Sequence, residues 1–436
     1  MWPSIILCLL LGYMCSPRSF AYIGVPPVNL FIGELTLGAF LVLKPNGGIG
    51  RWMTGLLKGG PLESISWIYL GFGLFGVLEA MRGFLAGHAP VSILQNLVFN
   101  YYPLYLFIGM WAGTRRPDLL PTFIRILAWV NGIYGVAYIL YFSRLPYTMP
   151  GTGDVPLFEQ PGGSAAAILG LLCFERRLGR FWLPLLLNAF VLLGLQVRAE
   201  LLGLSFGLAI WAVVNRQISR VALCVVLVAT LLVLGSIADV QVPGPRGDIS
   251  TRHIVGRFLA PIDAELAAEY NPQALSHEGT FLWRTEWWKE IWASTHSSFA
   301  GALWGHGYGY PLSDLVPYIR DEVIRTPHNV FFYALGYTGW IGVMLFYMFQ
   351  LALASLLWRR YRADGCIFGL LMWAVYLVQS HFGNFFETPF GAIPFYLLTG
   401  LSAVPAAWPR PSLPVEGELA ETFLDTTPLV QVIRSI

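Results

Sequence analysis

The sequence predicts an all-α polytopic membrane protein with about twelve transmembrane helices and one large extramembrane loop that contains short helices. Hydrophobic residues make up 56% of the chain, charged residues only 12%, and the mean hydropathy is +0.60. Charged residues make up about a quarter of soluble globular proteins, so this composition excludes that class. Apolar runs recur along the chain, and residues 239–327 form the one long polar interruption.

Twelve predicted transmembrane helices follow from apolar runs of about 17–25 residues, the length needed to cross a bilayer. Residues 5–14, followed by Ser19, Phe20 and Ala21, resemble a cleaved signal peptide, but no basic residue precedes them, so we interpret this segment as a retained first helix. The predicted spans cover residues 4–22, 27–43, 64–81, 91–113, 120–143, 162–175, 181–197, 199–215, 220–238, 329–357, 366–384 and 388–408.

This pattern divides the chain into nine transmembrane helices over residues 1–238, a loop over 239–327, three helices over 328–408 and a tail over 409–436. Basic residues predict the orientation, because cytoplasmic loops are enriched in Lys and Arg. Every second loop is rich in basic residues, which are Lys44/Arg51/Lys58, Arg115/Arg116, Arg176/Arg177/Arg180, Arg216/Arg220 and Arg359/Arg360/Arg362. The short loops between them carry one Arg each at most, namely Arg18, Arg82, Arg144 and Arg198.

With twelve spans, this distribution predicts that both termini and the tail are cytoplasmic and that the long loop lies outside, in the periplasm of a double-membrane bacterium. The lipid bilayer is then the protein's main surrounding medium. The formal net charge is +2 and no basic stripe is present, so the sequence predicts no nucleic-acid partner.

The long loop contains most of the side chains that could carry chemistry. Apolar residues recur at three- and four-residue spacing over residues 281–294, which predicts a short amphipathic helix with a Trp-rich face suited to the membrane interface. Residues 305–309 predict a turn of flexible backbone, and 314–323 a second short helix. The charged residues of the loop and its edges include Arg246, Arg252, Arg257, Arg284, Arg320, Arg325 and His328.

Two arginines are candidate anion-binding residues, because a guanidinium presents a planar fork of donors that matches phosphate oxygens. Arg198 lies between two apolar segments, where it either extends to lipid headgroups, pairs with Glu200 or clamps a phosphate. Arg284 lies on the predicted loop helix, with neighbours whose spacing is also typical of a solvated helix face. Those neighbours are Glu286, Lys289 and Glu290.

A histidine and two carboxylates complete the candidate set. His328 follows Pro327 at a predicted helix start, where it is either structural or a neutral base that accepts a proton from a hydroxyl. Glu34 and Glu387 lie inside or beside apolar spans, as functional groups or as buried partners of the arginines. The other histidines of the loop and its edges form no metal-ligand spacing, so we predict no metal site. They are His253, His277, His306 and His381.

Three motifs resemble the signature region of the bacterial O-antigen ligase and polymerase superfamily, which also contains protein O-oligosaccharyltransferases. They are R-x2-W-W from Arg284, W-G-H-G-Y-G over 304–309, and R-T-P-H-N-V-F-F-Y-A-L-G-Y-T-G-W-I-G over 325–342. The resemblance implies an inverting, metal-independent glycosyltransferase without a cofactor, in a membrane fold similar to that of the C-type glycosyltransferases. The implied donor is an undecaprenyl-pyrophosphate-linked glycan and the implied acceptor is lipid A-core or another glycan.

The resemblance also implies roles for individual residues. Arg198 and Arg284 are expected to bind the pyrophosphate, and His328, in the His-Asn pair that opens the tenth span, to activate the acceptor hydroxyl. The supporting candidates are Glu34, Asn329, Arg325 and Glu387.

Several functions remain open at this point. The leading hypothesis is ligation of an O-antigen-type polysaccharide to lipid A-core at the periplasmic face of the inner membrane. A polymerase that joins lipid-linked repeat units uses the same donor chemistry, and protein O-glycosylation differs only in its acceptor. A transporter would predict two similar halves and broken helices near the membrane midplane, which the sequence does not show. A structural membrane protein is the remaining alternative.

Overall fold

The computed structural model describes residues 2–25, 30–44, 50, 52, 55–56, 62–150, 152, 155–175, 178–218, 244–245, 249–259, 264–270, 274–316 and 326–404. Helices dominate these residues. Two short antiparallel strands, Gly24–Val25 and Leu30–Phe31, pair Gly24 with Phe31 and Val25 with Leu30. The helices up to residue 214 are Trp2–Cys15, Pro17–Ala21, Ile32–Leu43, Glu63–Leu85, Pro90–Tyr101, Leu104–Arg115, Leu119–Leu140, Ser164–Phe174, Trp182–Leu195 and Arg198–Val214.

The remaining described helices fall in the loop region and after it. They are Thr251–Leu259, Ala264–Tyr270, Ala274–Thr295, Phe299–Trp304, Val330–Asp364, Phe368–Ser380 and Pro389–Ser402. We call Ala274–Thr295 the loop helix and Val330–Asp364 the long helix. Three single turns of 3-10 helix, Phe142–Arg144, Leu178–Arg180 and Leu312–Leu315, complete the described elements.

Three described helices are long and apolar enough to cross a membrane by length and composition, namely Glu63–Leu85, Leu119–Leu140 and Val330–Asp364. The predicted all-α class is therefore confirmed, and the apolar helices fit a membrane protein. The count of twelve spans, the periplasmic position of the loop and the division into domains stay predictions. Shorter apolar helices are Trp2–Cys15, Ile32–Leu43, Ser164–Phe174, Trp182–Leu195 and Phe368–Ser380.

Proline divides two of the predicted spans. The predicted span 91–113 consists of two helices, Pro90–Tyr101 and Leu104–Arg115, separated at Pro103. The predicted span 4–22 breaks before Pro17, which occupies the first turn of Pro17–Ala21. Proline has no backbone N–H to continue a helix but fits the first helical turn. The predicted span 220–238 and the tail 409–436 lie outside the described residues.

A large buried core joins the first and the last of the described helices. Its residues run from Trp2 to Val404. The first helix packs against Leu119–Leu140 and Pro389–Ser402, while the long helix packs against Glu63–Leu85 and the loop helix. Segments distant in sequence are thus held side by side, which fixes the ends of their helices relative to one another.

The W-G-H-G-Y-G motif attaches the loop region to the long helix. Gly305 and Gly339 both have φ +62°, and Gly339 interrupts the long helix. A Cβ atom on Gly339 would lie 2.4 Å from the carbonyl carbon and oxygen of Leu303, so the two backbones meet with no room for a side chain. His306 N donates to Gly336 O at 2.9 Å and Gly307 N to Tyr337 O at 2.8 Å. The predicted turn is therefore present, and its backbone is hydrogen-bonded to the long helix.

The predicted helix 281–294 is confirmed as part of the longer loop helix. The prediction that its Trp-rich face lies at the membrane interface is wrong for Trp287, which is fully buried and donates from Nε1 to Leu312 O at 2.8 Å. Trp288 stacks on Phe332 of the long helix with ring centroids 5.3 Å apart. Residues 314–315 of the predicted helix 314–323 belong to the 3-10 turn Leu312–Leu315, and residues 317–325 lie outside the described part.

Candidate functional site

The candidate site is formed by three residues that are far apart in sequence, namely Arg198, Arg284 and His328. Two of them lie at helix starts and one lies on the face of a helix. Arg198 begins the helix Arg198–Val214, Arg284 lies on the loop helix, and His328 lies two residues before the long helix. Arg284 interacts electrostatically with both of the others. Burial, and then the charge of Arg198, lower the pKa of Arg284. These interactions place the three principal sequence-predicted residues near one another.

Arg198 is placed by an abrupt change of chain direction. Gln196 adopts φ +53° in the left-handed region and ends the preceding helix, Val197 is extended, and Arg198 starts the next helix. A helix N-terminus carries partial positive charge, which favours anions nearby. Arg198 is half-buried at this helix start. Its three interpretations, as a headgroup contact, a partner of Glu200 or a phosphate clamp, stay predictions.

Arg284 is half-buried rather than part of the exposed face formed by Glu286, Lys289 and Glu290. Its Nη1 donates to Phe382 O at 3.2 Å, and its Cζ lies 5.3 Å from the centre of the Trp283 ring. Its Nε is buried and has no hydrogen-bond partner among the described residues. A buried donor of a charged group without an acceptor is unfavourable, so this position suits an anionic ligand.

His328 combines an unusual backbone with a strongly perturbed side chain. Its φ of +54° lies in the left-handed region, which non-glycine residues rarely adopt and which is enriched at functional sites. Its ring meets the Trp283 ring edge to face, with centroids 5.8 Å apart. Burial, and then the charge of Arg284, lower the pKa of His328 to about 4. The imidazole is therefore neutral at pH 7 and has a lone pair available to accept a proton.

Asn329 explains why the long helix begins directly after His328. Its backbone is extended, and its Oδ1 accepts hydrogen bonds from Phe331 N at 2.9 Å and Phe332 N at 3.3 Å, which caps the helix. Its Nδ2 donates to His381 O at 3.0 Å. Asn329 thus lies at the site as a capping residue whose amide groups are already bonded.

Glu34 and Glu387 form no ion pair with the arginines that the structure describes, so the alternative that they are partners of Arg198 or Arg284 is not supported. Glu34 accepts hydrogen bonds from the hydroxyls of Tyr101 at 3.2 Å and Tyr102 at 2.5 Å, and from Phe31 N at 3.2 Å. Glu387 accepts from Phe385 N at 3.2 Å, and burial raises its pKa to about 8. Glu387 therefore holds a proton at neutral pH. Arg325 lies outside the described residues.

Two features of the site escaped the sequence analysis. Trp283 contacts both Arg284 and His328, but its neighbouring tryptophans hide it in a Trp-rich run. Residues 381–387, which we call the 381–387 turn, supply the carbonyl groups that bind Arg284 and Asn329. The polar residues of H-F-G-N-F-F-E between two apolar spans were the available signal for this turn.

This geometry can bind a multiply charged anion and accept a proton beside it. A search of curated proteins finds no match to the chain. Residues 183–347 match the O-antigen ligase family, and this match includes Arg198, Arg284 and His328. This match over residues 183–347 confirms the superfamily predicted from the motifs.

Proposed function

We propose that the protein is an O-antigen ligase of the bacterial inner membrane, which transfers a polysaccharide from undecaprenyl pyrophosphate to lipid A-core at the periplasmic face. Transfer is inverting and needs no metal. The observation that carries this proposal is the placement of two cations, Arg198 and Arg284, near each other and beside a neutral His328.

Two nearby cations without an anion repel each other, and a pyrophosphate placed between them removes that repulsion. A phosphate oxygen also supplies the acceptor that Arg284 Nε lacks among the described residues. During transfer the bond between the anomeric carbon and the pyrophosphate oxygen breaks, and its electron pair stays on the pyrophosphate. Fixed guanidinium groups stabilise that developing negative charge without a metal ion.

His328 accepts the proton of the acceptor hydroxyl while the hydroxyl oxygen forms the new bond to the anomeric carbon. General base catalysis of this kind contributes about 10²- to 10⁴-fold in rate. The charge of Arg284 disfavours a proton on His328 in the free protein. A pyrophosphate bound to Arg284 offsets that charge and raises the pKa of His328, so the base is stronger when the donor is in place.

The test is glycan transfer by purified, reconstituted protein from an undecaprenyl-pyrophosphate glycan to a lipid A-core acceptor. We expect Arg198→Ala, Arg284→Ala and His328→Ala each to lower the rate by about 10²-fold or more. Arg252→Ala and His88→Ala are the matched controls, since Arg252 binds Glu269 O at the loop surface and His88 contacts the Tyr310 ring. Equal transfer by the wild type and all three site variants contradicts the proposal.

The O-antigen polymerase is the second candidate, because the matched family covers O-antigen ligases and related polymerases. The two reactions share the donor and the bond formed, and differ in the acceptor. Surface glycans of a deletion strain separate them. Unattached long polymer indicates loss of a ligase, single repeat units indicate loss of a polymerase, and unmodified protein indicates loss of a protein glycosyltransferase.

A further inference from the structure

The 381–387 turn bonds to both sides of the candidate site. Arg284 Nη1 donates to Phe382 O at 3.2 Å, and Asn329 Nδ2 donates to His381 O at 3.0 Å. Thr326 Oγ1 donates to Asn384 Oδ1. Thr326 and Asn329 flank His328 in sequence, so the segment that carries the base is bonded to this turn on both sides of His328.

The turn is itself tightly fixed. The two ring nitrogens of His381 are both hydrogen-bonded, Nδ1 to Leu377 O at 2.7 Å and Nε2 to the Tyr347 hydroxyl at 2.8 Å. A neutral imidazole satisfies both, since Nδ1–H donates to the carbonyl and Nε2 accepts from the hydroxyl. Tyr347 belongs to the long helix. The start of the turn is therefore bonded to the helix that follows His328.

The other end of the turn is buried. Glu387 is 5% exposed and accepts from Phe385 N, while Phe386 is 1% exposed and packs against Phe346 of the long helix, with ring centroids 5.3 Å apart. Gly391 of the following helix lies so close that a Cβ atom there would be 2.4 Å from Phe385 O. Both ends of the turn are thus held by the helix bundle rather than by the loop region.

We propose that the 381–387 turn is the positioning element of this site, and that Asn384 is a positioning residue that holds His328 in register with Arg284. The inference rests on the proposed function. Asn384 acts through Thr326 on the segment of His328, and the backbone of the same turn holds Arg284. A fixed distance between these groups matters because the pyrophosphate leaves from one side of the anomeric carbon while the hydroxyl attacks from the other. A misplacement of about 1 Å can lower a rate by about 10²-fold.

The test compares Asn384→Ala with Asn384→Asp in the transfer assay. The Ala variant removes the acceptor of the Thr326 hydroxyl, whereas Asp keeps an acceptor oxygen at the same place. We expect Asn384→Ala to lower kcat by about 10- to 100-fold with little change in the KM of the donor, and Asn384→Asp to retain kcat within about threefold. Thermal unfolding of each variant establishes that it folds.

Tyr347→Phe provides a second variant, because it removes only the hydroxyl that binds His381. Tyr134→Phe is its matched control, since the Tyr134 hydroxyl donates to Glu159 O at 2.8 Å, away from this turn. We expect Tyr347→Phe to lower kcat and Tyr134→Phe to leave it unchanged.

Three outcomes overturn the inference while leaving the proposed function intact. They are wild-type kcat in Asn384→Ala, failure of Asp to restore kcat in a folded variant, and equal effects of the two tyrosine substitutions. Absence of transfer by the wild type overturns the proposed function instead.

Discussion

His328 shows how the chain fixes the chemistry of a single side chain. The positive φ places the imidazole next to Trp283 rather than on the helix that Asn329 caps. Burial and the neighbouring guanidinium then favour the neutral ring. A base near a membrane surface must be neutral before the acceptor binds, and both environmental effects act in that direction.

The pH dependence of transfer should differ between free and donor-bound protein. We expect the acid limb of kcat/KM for the donor to fall at about pH 4, because it reports His328 in the free protein. The acid limb of kcat should lie at higher pH, because bound pyrophosphate offsets the charge of Arg284. Measurement of kcat and kcat/KM for glycan transfer as a function of pH checks both limbs. If the acid limbs of kcat and kcat/KM coincide near the ordinary pKa of histidine, the electrostatic coupling between Arg284 and His328 is contradicted.

Glu387 gives a stability prediction. Its pKa in the folded protein is about 8, above that of an exposed carboxyl. Between the two values the unfolded chain has released this proton while the folded protein retains it, so stability falls as pH rises from about 4.5 to about 8. Glu387→Gln keeps an oxygen for Phe385 N without the ionisation. We expect its thermal stability to exceed that of the wild type by a margin that grows over this range, and a pH-independent margin contradicts this.

Gly305 and Gly339 show how a motif specifies contact between two elements. Both residues have positive φ, and each occupies space next to the backbone of the other's segment. The contact fixes the helix Phe299–Trp304, which follows the loop helix, to the kink of the long helix. The position of Arg284 on the loop helix relative to His328 therefore depends on two glycines that touch neither residue.

Gly339→Ala should destabilise the protein and reduce transfer, because its Cβ atom would overlap the Leu303 carbonyl. Gly307→Ala is the matched control, since Gly307 also has positive φ but the nearest atom to its Cβ position is Gly83 N at 3.9 Å. Left-handed backbone strain alone costs about 1–2 kcal/mol. We expect Gly307→Ala to lose only this amount of stability. Gly339→Ala should show a larger fall in melting temperature than Gly307→Ala. Equal losses in the two variants contradict the steric explanation.

Local patterns predicted the elements of this fold better than their contacts. Hydrophobic periodicity was sufficient to locate the loop helix, and apolar runs located the helices around it, because both signals are repeated within one segment. The contact between Gly305 and Gly339 joins segments more than thirty residues apart, and the motifs that contain them do not show that they meet each other. For the same reason the motifs identified Arg284 and His328 as site candidates. They did not identify Phe382 and Asn384, whose hydrogen bonds to Arg284 and Thr326 join segments that are distant in sequence.

The long helix relates the site to the predicted orientation of the whole molecule. His328 precedes one end of this 35-residue helix, while Arg359, Arg360 and Arg362 lie near the other end. From the kink at Gly339 to Arg359 is about 30 Å of helix at 1.5 Å per residue, the thickness of a hydrocarbon core. We therefore expect the site and the basic cluster to lie on opposite sides of the membrane. Because basic clusters mark the cytoplasmic side, the site should face outwards.

Cysteine labelling tests that orientation without any assumption about the substrate. Lys289 is exposed on the loop helix, and Arg359 is exposed near the opposite end of the long helix. In intact spheroplasts, a membrane-impermeant maleimide should label Lys289→Cys, and it should label Arg359→Cys only after the membrane is permeabilised. The unsubstituted protein measures the background from its five native cysteines. The reverse pattern places Arg198, Arg284 and His328 in the cytoplasm, where ligation to lipid A-core at the periplasmic face is impossible.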